Sequence, residues 1–165
     1  MSARARIAAV AASAALFVVS CQKLDGTASP PELDRAFFRC RVEPVLVKSC
    51  GAFLCHGDTN RYFRVFGSNR LRYGVSPEQR KTPLTAEEIE HNYQSAAAFV
   101  DAKDPDKSLL LKKPLDQLAG GYYHGGAMQY GRGDVFLSTE EADYKVLAAW
   151  VAGEKEDASC VEPGL

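Results

Sequence analysis

The chain predicts a mainly α protein, one small helical domain with long irregular loops. Three observations carry this reading. Two Thr/Ser-x-x-Glu boxes, Thr85 with Glu88 and Ser138 with Glu141, each open an apolar-periodic run, the signature of a capped helix start. Pro30, Pro44 and Pro105 stand where a first helical turn tolerates a missing N–H. The stretches between these runs show no sustained period and are rich in Gly, Tyr and Arg.

The chain opens on Arg4 and Arg6, followed by an apolar run, Ile7 to Val19, of thirteen residues. That is the length of a signal-peptide core and too short for a bilayer span. The run closes on Val18-Val19-Ser20-Cys21, which resembles the bacterial lipobox, in which the cysteine takes lipid and becomes the mature N-terminus. Residues 1–20 are therefore read as a lipoprotein signal peptide, and residues 21–31, small and polar with two prolines, as a tether. Residues 32–165 remain for the domain. Without the leader the formal charge moves from −1 to −3, because the leader holds two arginines and no acid. Such a balance gives no reason to expect nucleic acid.

Within the domain, Ser29 and Pro30 are read as the start of a helix through "ELDRAFFRCRV", with Leu33, Phe37, Phe38 and Cys40 on one face. Pro44 interrupts it and opens a second short helix, "PVLVKSC", which delivers Cys50. Residues 58–85 read as loop with one short strand near Tyr62–Phe66. The Thr85 box starts "AEEIEHNYQSAAAFV", with Ile89, Tyr93 and Ala96 to Val100 on its apolar side. Asp104 and Pro105 start a short helix carrying Leu109 and Leu110, which Pro114 ends. A long Gly-rich loop follows, of the kind that is more often functional than neutral. The Ser138 box then starts "TEEADYKVLAAWVAG", with Tyr144, Leu147, Ala148 and Val151 facing inward and Gly153 at the stop. No internal repeat is visible, so one site is expected.

The chemistry concentrates in "SCGAFLCHG", Ser49 to Gly57. A c-type haem needs two thiols to add across its vinyl groups, and an imidazole directly after the second thiol to reach the iron. Cys50, Cys55 and His56 supply all three, with four residues between the cysteines where two are usual. A zinc site would need a fourth ligand and a second Cys pair, which the neighbourhood lacks. A Cys nucleophile would need a base other than its own chain neighbour and a strand–turn–helix elbow. A Cys50–Cys55 disulfide is the plain alternative.

With its flanks, the chain resembles the monohaem cytochrome c-like domains of exported bacterial proteins. The resemblance runs from about Phe37 to Gly153, in "VEPVLVKSC…CHG", "DPDKSLLLKKPL", "HGGAMQY" and "DYKVLAAWVAG". It implies a helix leading into the attachment motif, a Ser-Leu-Leu helix after a Pro turn, a loop bearing a second axial ligand, and a closing helix with an aromatic residue. The cysteine spacing and the insert at 58–85 depart from that pattern. The resemblance implies one haem c on Cys50 and Cys55, with His56 as proximal iron ligand. For the distal ligand, His124 is the first candidate and Met128 the alternative; His91, mid-helix on a polar stretch, is read as solvated. The glycines around His124 would let the backbone approach a porphyrin face. Tyr122, Tyr123 and Tyr130 are candidates to cover the haem edge, and Arg61, Arg64, Arg70 and Arg72 to meet propionates, or simply to form a solvated face.

Five cysteines then divide into Cys21 for lipid, Cys50 and Cys55 for haem, and Cys40 with Cys160 as a disulfide, which persists in an oxidising compartment. Closing a loop of that length is worth roughly 4–5 kcal/mol in the chain-entropy model. The expected function is a c-type cytochrome, anchored by lipid in the bacterial cell envelope, facing periplasm or cell surface, and passing single electrons to a redox partner. Two other classes stay open: a haem module with a free sixth position that senses a small ligand, and a non-haem surface lipoprotein held by disulfides. No paired carboxylates, phosphate loop or activated serine suggest an enzyme.

Overall fold

The computed structural model describes residues 32–125 and 134–156; Cys21, Met128, Tyr130 and Cys160 lie outside them, as do the leader and the tether. Helix α1 (Arg35–Phe37) runs through a π-helical turn (Phe38–Val42) into α2 (Glu43–Ser49). A 3-10 turn (Pro77–Lys81), α3 (Ala86–Ala97), a second 3-10 turn (Pro105–Lys107), α4 (Leu109–Lys112), a third (Gln117–Ala119) and α5 (Ala142–Val151) follow. The protein is mainly helical, as its sequence predicts. The strand expected near Tyr62–Phe66 is reduced to one bridge, Phe66 with Leu71; Leu115 with Phe136 makes another.

Pro44 does not separate two helices. The Glu43 N–H reaches back to the Phe38 carbonyl, a five-residue step, and this widened turn falls just before Pro44. The proline then sits in the first turn of α2, where its absent donor leaves nothing unpaired. At the other end, the cap is Asp34, whose carboxylate accepts the Phe37 N–H at 2.7 Å. Starting the helix there turns Phe38 and Val42 into the core, at 1% and 0% exposure, and leaves Phe37 and Cys40 half-buried.

Three aromatic rings tie α1, α3 and α5 together. Trp150 and Phe38 have centroids 5.2 Å apart, and Phe38 meets Tyr93 edge-on at 5.4 Å. The polar ends of both amphipathic rings are satisfied by the chain just ahead of α1: Trp150 Nε1 donates to the Asp34 carbonyl at 2.9 Å and the Tyr93 hydroxyl to the Leu33 carbonyl at 3.0 Å. Trp150 thereby joins Tyr144, Leu147 and Val151 on the buried face of α5. The helix begins at Ala142, with Glu141 as its N-cap. The Glu141 carboxylate reaches back to the Leu137 and Ser138 N–H groups, but the Ser138 hydroxyl accepts from Glu140 N–H at 3.3 Å and not from Glu141, so the expected Ser138–Glu141 box does not form.

Helix α3 keeps its predicted capping box, Thr85 with Glu88. Its buried side, however, includes Glu88 and Asn92, both fully buried, beside Tyr93 and Ala96. Asn92 donates to the Glu43 carboxylate at 2.8 Å and to the Phe66 carbonyl at 2.9 Å, and accepts the Phe66 N–H at 2.8 Å. Glu88 accepts from Arg72 Nε at 2.8 Å and Nη2 at 2.9 Å, and from the N–H groups of Tyr73 and Thr85 at 2.8 Å. Arg72 also donates to the carbonyls of Thr82 and Pro83, at 2.9 and 3.0 Å. The insert at 58–85 is thus fastened to α3 by one bidentate ion pair, and Arg72 is spent on the fold and not on a propionate.

Burial pushes the Glu88 carboxyl up, but the Arg72 hydrogen bonds and the Thr85 and Tyr73 N–H groups outweigh it, so its pKa lies below the ordinary value. Its contribution to stability is complete above the unfolded glutamate pKa and is lost as pH falls through the lower folded one. Glu88→Gln leaves a buried guanidinium with carbonyl partners only, and is expected to cost about 2–3 kcal/mol at neutral pH. Denaturant titrations at neutral and acid pH check this: the gap from wild type should narrow in acid.

Among the described residues no helix is long and apolar enough to cross a membrane.

Candidate functional site

Helix α2 ends at Cys50, and the next seven residues wind into a tight loop. The Cys50 and Gly51 N–H groups both bond the Leu46 carbonyl, at 2.8 and 3.0 Å. The His56 N–H returns to the Cys50 carbonyl at 3.0 Å, and Gly57 N–H to Ala52 O at 2.9 Å. A Cβ on Gly57 would stand 2.3 Å from the Gly51 carbonyl oxygen, so the loop closes only over glycine. The four residues between the cysteines therefore form a wound turn, with Phe53 and Leu54 pointing outward at 52% and 71% exposure. Cys50 is buried and Cys55 half-buried, and neither is in a disulfide. Burial pushes the Cys50 thiol up to about 12, with Cys55 adding to the shift, so at neutral pH it is protonated and a poor nucleophile.

The loop that follows the cluster is what fixes His56. Val65 N–H bonds the His56 carbonyl at 2.8 Å, and His56 Nδ1 lies 2.8 Å from the Phe63 carbonyl oxygen. A carbonyl can only accept, so Nδ1 carries the proton and Nε2 keeps its lone pair. Phe63 also packs edge-on against the imidazole, at 4.7 Å.

His124 arrives from the opposite side of the sequence. The bridge between Leu115 and Phe136 pairs Asp116 N–H with Phe136 O at 2.8 Å and Phe136 N–H with Pro114 O at 2.9 Å. The chain then turns through Gly120, at φ +91°, and Tyr122 N–H returns to the Lys112 carbonyl at 2.7 Å. A Cβ on Gly121 would fall 1.7 Å from the Leu115 oxygen. Gly120 and Gly121 thus serve the turn and its packing on the end of α4, rather than an approach of backbone to a porphyrin. Lys113 Nζ holds the Tyr123 carbonyl at 2.9 Å, one residue before His124.

These two supports bring the imidazoles of His56 and His124 together, with centroids 6.0 Å apart and planes 14° from parallel. Burial lowers the pKa of both; His124 and Arg61 lower His56 further against the Phe63 hydrogen bond, and Lys113 and Arg61 lower His124 further against Asp134. Both are therefore neutral at neutral pH, the form in which imidazole binds a metal. Arg61 and Lys113 are cations close enough to be felt by His124, and Arg61 by both rings.

His91 is engaged elsewhere: its Nδ1 lies 3.1 Å from the Tyr73 hydroxyl and its Nε2 3.3 Å from Ser95 Oγ. It is half-buried rather than solvated, with its ring edge-on to Phe66 at 4.9 Å. Tyr122 and Tyr123 are 44% and 71% exposed. Among the described residues no three His, Cys, Asp or Glu side chains form a cage for a bare metal ion. Sequence reasoning missed Phe63, whose carbonyl orients His56, and Asp134, whose Oδ1 lies 3.7 Å from His124 Nδ1.

Cys40 is disulfide-bonded, with its partner outside the described residues. Next to it, Arg41 Nε holds the Glu156 carboxylate at 2.6 Å, and Glu156 N–H approaches Asp34 Oδ1 at 3.5 Å.

Compared with protein-family models, curated proteins and solved structures, the chain matches none of them.

Proposed function

We propose that this protein is a c-type cytochrome that carries single electrons, with one haem bound covalently to Cys50 and Cys55 and held between His56 and His124. One observation carries the proposal: the two neutral, near-parallel imidazoles with centroids 6.0 Å apart, one of them adjoining two cysteines that are not in a disulfide. A metal–imidazole nitrogen bond is roughly 2 Å and the ring centre lies about 1 Å beyond it in the ring plane, so two imidazoles that turn their Nε2 edges toward one ion have centres roughly 6 Å apart, the spacing of this pair. The donor set fits haem and not zinc: two nitrogen ligands from the chain suit an iron whose other four positions a porphyrin fills. His56 also shows the hydrogen bond typical of a metal-bound histidine, Nδ1–H to a backbone carbonyl, which frees Nε2.

In this reading each thiol adds across one vinyl group, its sulfur bonding one carbon and its hydrogen passing to the other. Phe53 and Leu54, exposed on the motif loop, offer apolar surface for a porphyrin. Arg61 and Lys113 are placed to offset propionate charge. Bound haem supplies an iron that cycles between ferric and ferrous states. The protein holds the His56 imidazole by the Phe63 carbonyl and carries His124 on a segment that the Lys113 ammonium fastens at the Tyr123 carbonyl.

The test is an absorption spectrum of the purified holoprotein. Wild type should be low-spin in both oxidation states and lack the weak far-red ferric band of a methionine ligand. His124→Ala should become high-spin. If that band is present and Met128→Ala removes it, Met128 is the distal ligand. A wild type that is already high-spin moves the function to ligand sensing.

The envelope setting belongs to the same proposal: lipid on Cys21, a membrane-surface location, and an envelope redox partner. So does a Cys40–Cys160 disulfide, supported by the Arg41–Glu156 pair, which brings the chain four residues before Cys160 alongside α1. Non-reducing peptide mapping should recover Cys40 with Cys160; recovery of Cys40 with Cys21 would refute both the bridge and the lipid.

A further inference from the structure

Two buried polar atoms face each other beside the proposed haem site. His124 Nδ1 and Asp134 Oδ1 lie 3.7 Å apart, and neither has a hydrogen-bond partner among the described residues. The Asp134 side chain is only 7% exposed and that of His124 23%. Leaving such atoms unpaired costs about 1–3 kcal/mol each, so an arrangement that aims one at the other without closing the bond calls for an explanation. Both residues hang from the same feature. The Leu115–Phe136 bridge places Asp134 two residues before Phe136, and the chain folded back on its other strand delivers His124.

We propose that Asp134 is a positioning residue for His124: when His124 binds haem iron through Nε2, its Nδ1–H donates to the Asp134 carboxylate. The inference rests on the haem reading and extends it. Hydrogen bonds that serve a bound state are often long before it forms, and the gap of 3.7 Å closes with a small rotation of either side chain. The two axial ligands then differ in kind. His56 is oriented by a neutral carbonyl, that of Phe63. His124 is oriented by an anion, which fixes its tautomer and makes the imidazole a stronger donor. A stronger donor and a buried negative charge both favour ferric over ferrous iron, so Asp134 sets the reduction potential lower than two carbonyl-oriented histidines would.

The experiment is redox titration of wild-type, Asp134→Asn, Asp134→Glu and His124→Ala holoproteins at one fixed pH, with spectra. Asp134→Asn keeps the volume and removes the charge. It should stay low-spin and shift the midpoint upward, and Asp134→Glu should return the midpoint toward wild type. An unchanged midpoint in Asp134→Asn, while His124→Ala turns high-spin, overturns the role of Asp134 and leaves the haem reading standing. A wild-type spectrum in His124→Ala overturns both. Should Asp134→Asn fail to fold, nitrogen-15 NMR of histidine-labelled ferrous wild type decides. A protected, downfield His124 Nδ1–H, clearly apart from that of His56, supports the proposal, and one that exchanges freely with solvent overturns it.

Discussion

Replacing Cys50 and Cys55 together with alanine is expected to abolish haem staining of the denatured protein on a gel, completely rather than by degrees. A thioether survives denaturation, whereas axial bonds from His56 and His124 do not outlive the fold that aligns them. Each single variant keeps one thioether and should keep part of the stain. The substitutions themselves are mild. Cys55 is half-buried, and trimming the buried Cys50 thiol removes one atom from the end of the core. A double variant with a native circular dichroism spectrum but no retained haem is the predicted outcome. Full retention of the stain by that variant would contradict covalent attachment at these residues.

Trp150→Ala is expected to cost about 3–5 kcal/mol, the range for truncating a fully buried aromatic side chain. Trp150 is 0% exposed, packs on Phe38 and Tyr93, and anchors the start of α1 through its bond to the Asp34 carbonyl. Small domains hold about 5–15 kcal/mol in total, so the loss is a large share. Trp150→Phe restores much of the apolar contact but not the hydrogen bond, and should fall between the two. Chemical denaturation of the three proteins orders them; equal midpoints for wild type and Trp150→Ala would mean that α1, α3 and α5 are not joined through this ring.

What the sequence revealed divides along physical lines. Local signals were legible: the Thr85–Glu88 box and Gly153 after α5 each act within one helical turn and stand where the pattern put them, whereas Asp104 and Pro105 open only a 3-10 turn and the helix of Leu109 and Leu110 starts after Ser108. Signals that depend on a distant partner were not. Glu88 reads only as a member of its capping box and Asn92 stands off the predicted apolar side, because nothing local announces that Arg72 and the Phe66 backbone come to meet them. Arg72 read as a candidate for a propionate for the same reason. Pro44 read as a break, since a one-residue widening of the helix leaves no compositional trace.

The site shows the same division. Cys50, Cys55 and His56 were visible because the chemistry demands them in one short motif. His124 could be named as a candidate, but only the folded chain brings its ring over that of His56. Of the glycines around it, Gly121 is required by the Leu115 carbonyl, which no local pattern announces, while Gly125 stands in open space. Asp134, in "GRGDVF", carries no local sign of its place behind His124.

Electron paramagnetic resonance of the oxidised protein tests the central claim most directly, because the signal of ferric haem depends on both the number of axial imidazoles and the angle between their planes. Planes 14° apart predict a single low-spin, rhombic signal, the form given by near-parallel bis-imidazole ligation. A high-spin axial signal or no haem signal at all would contradict an iron held between His56 and His124; a low-spin signal of the strongly anisotropic kind given by perpendicular ligand planes would keep two imidazoles and contradict only their near-parallel setting.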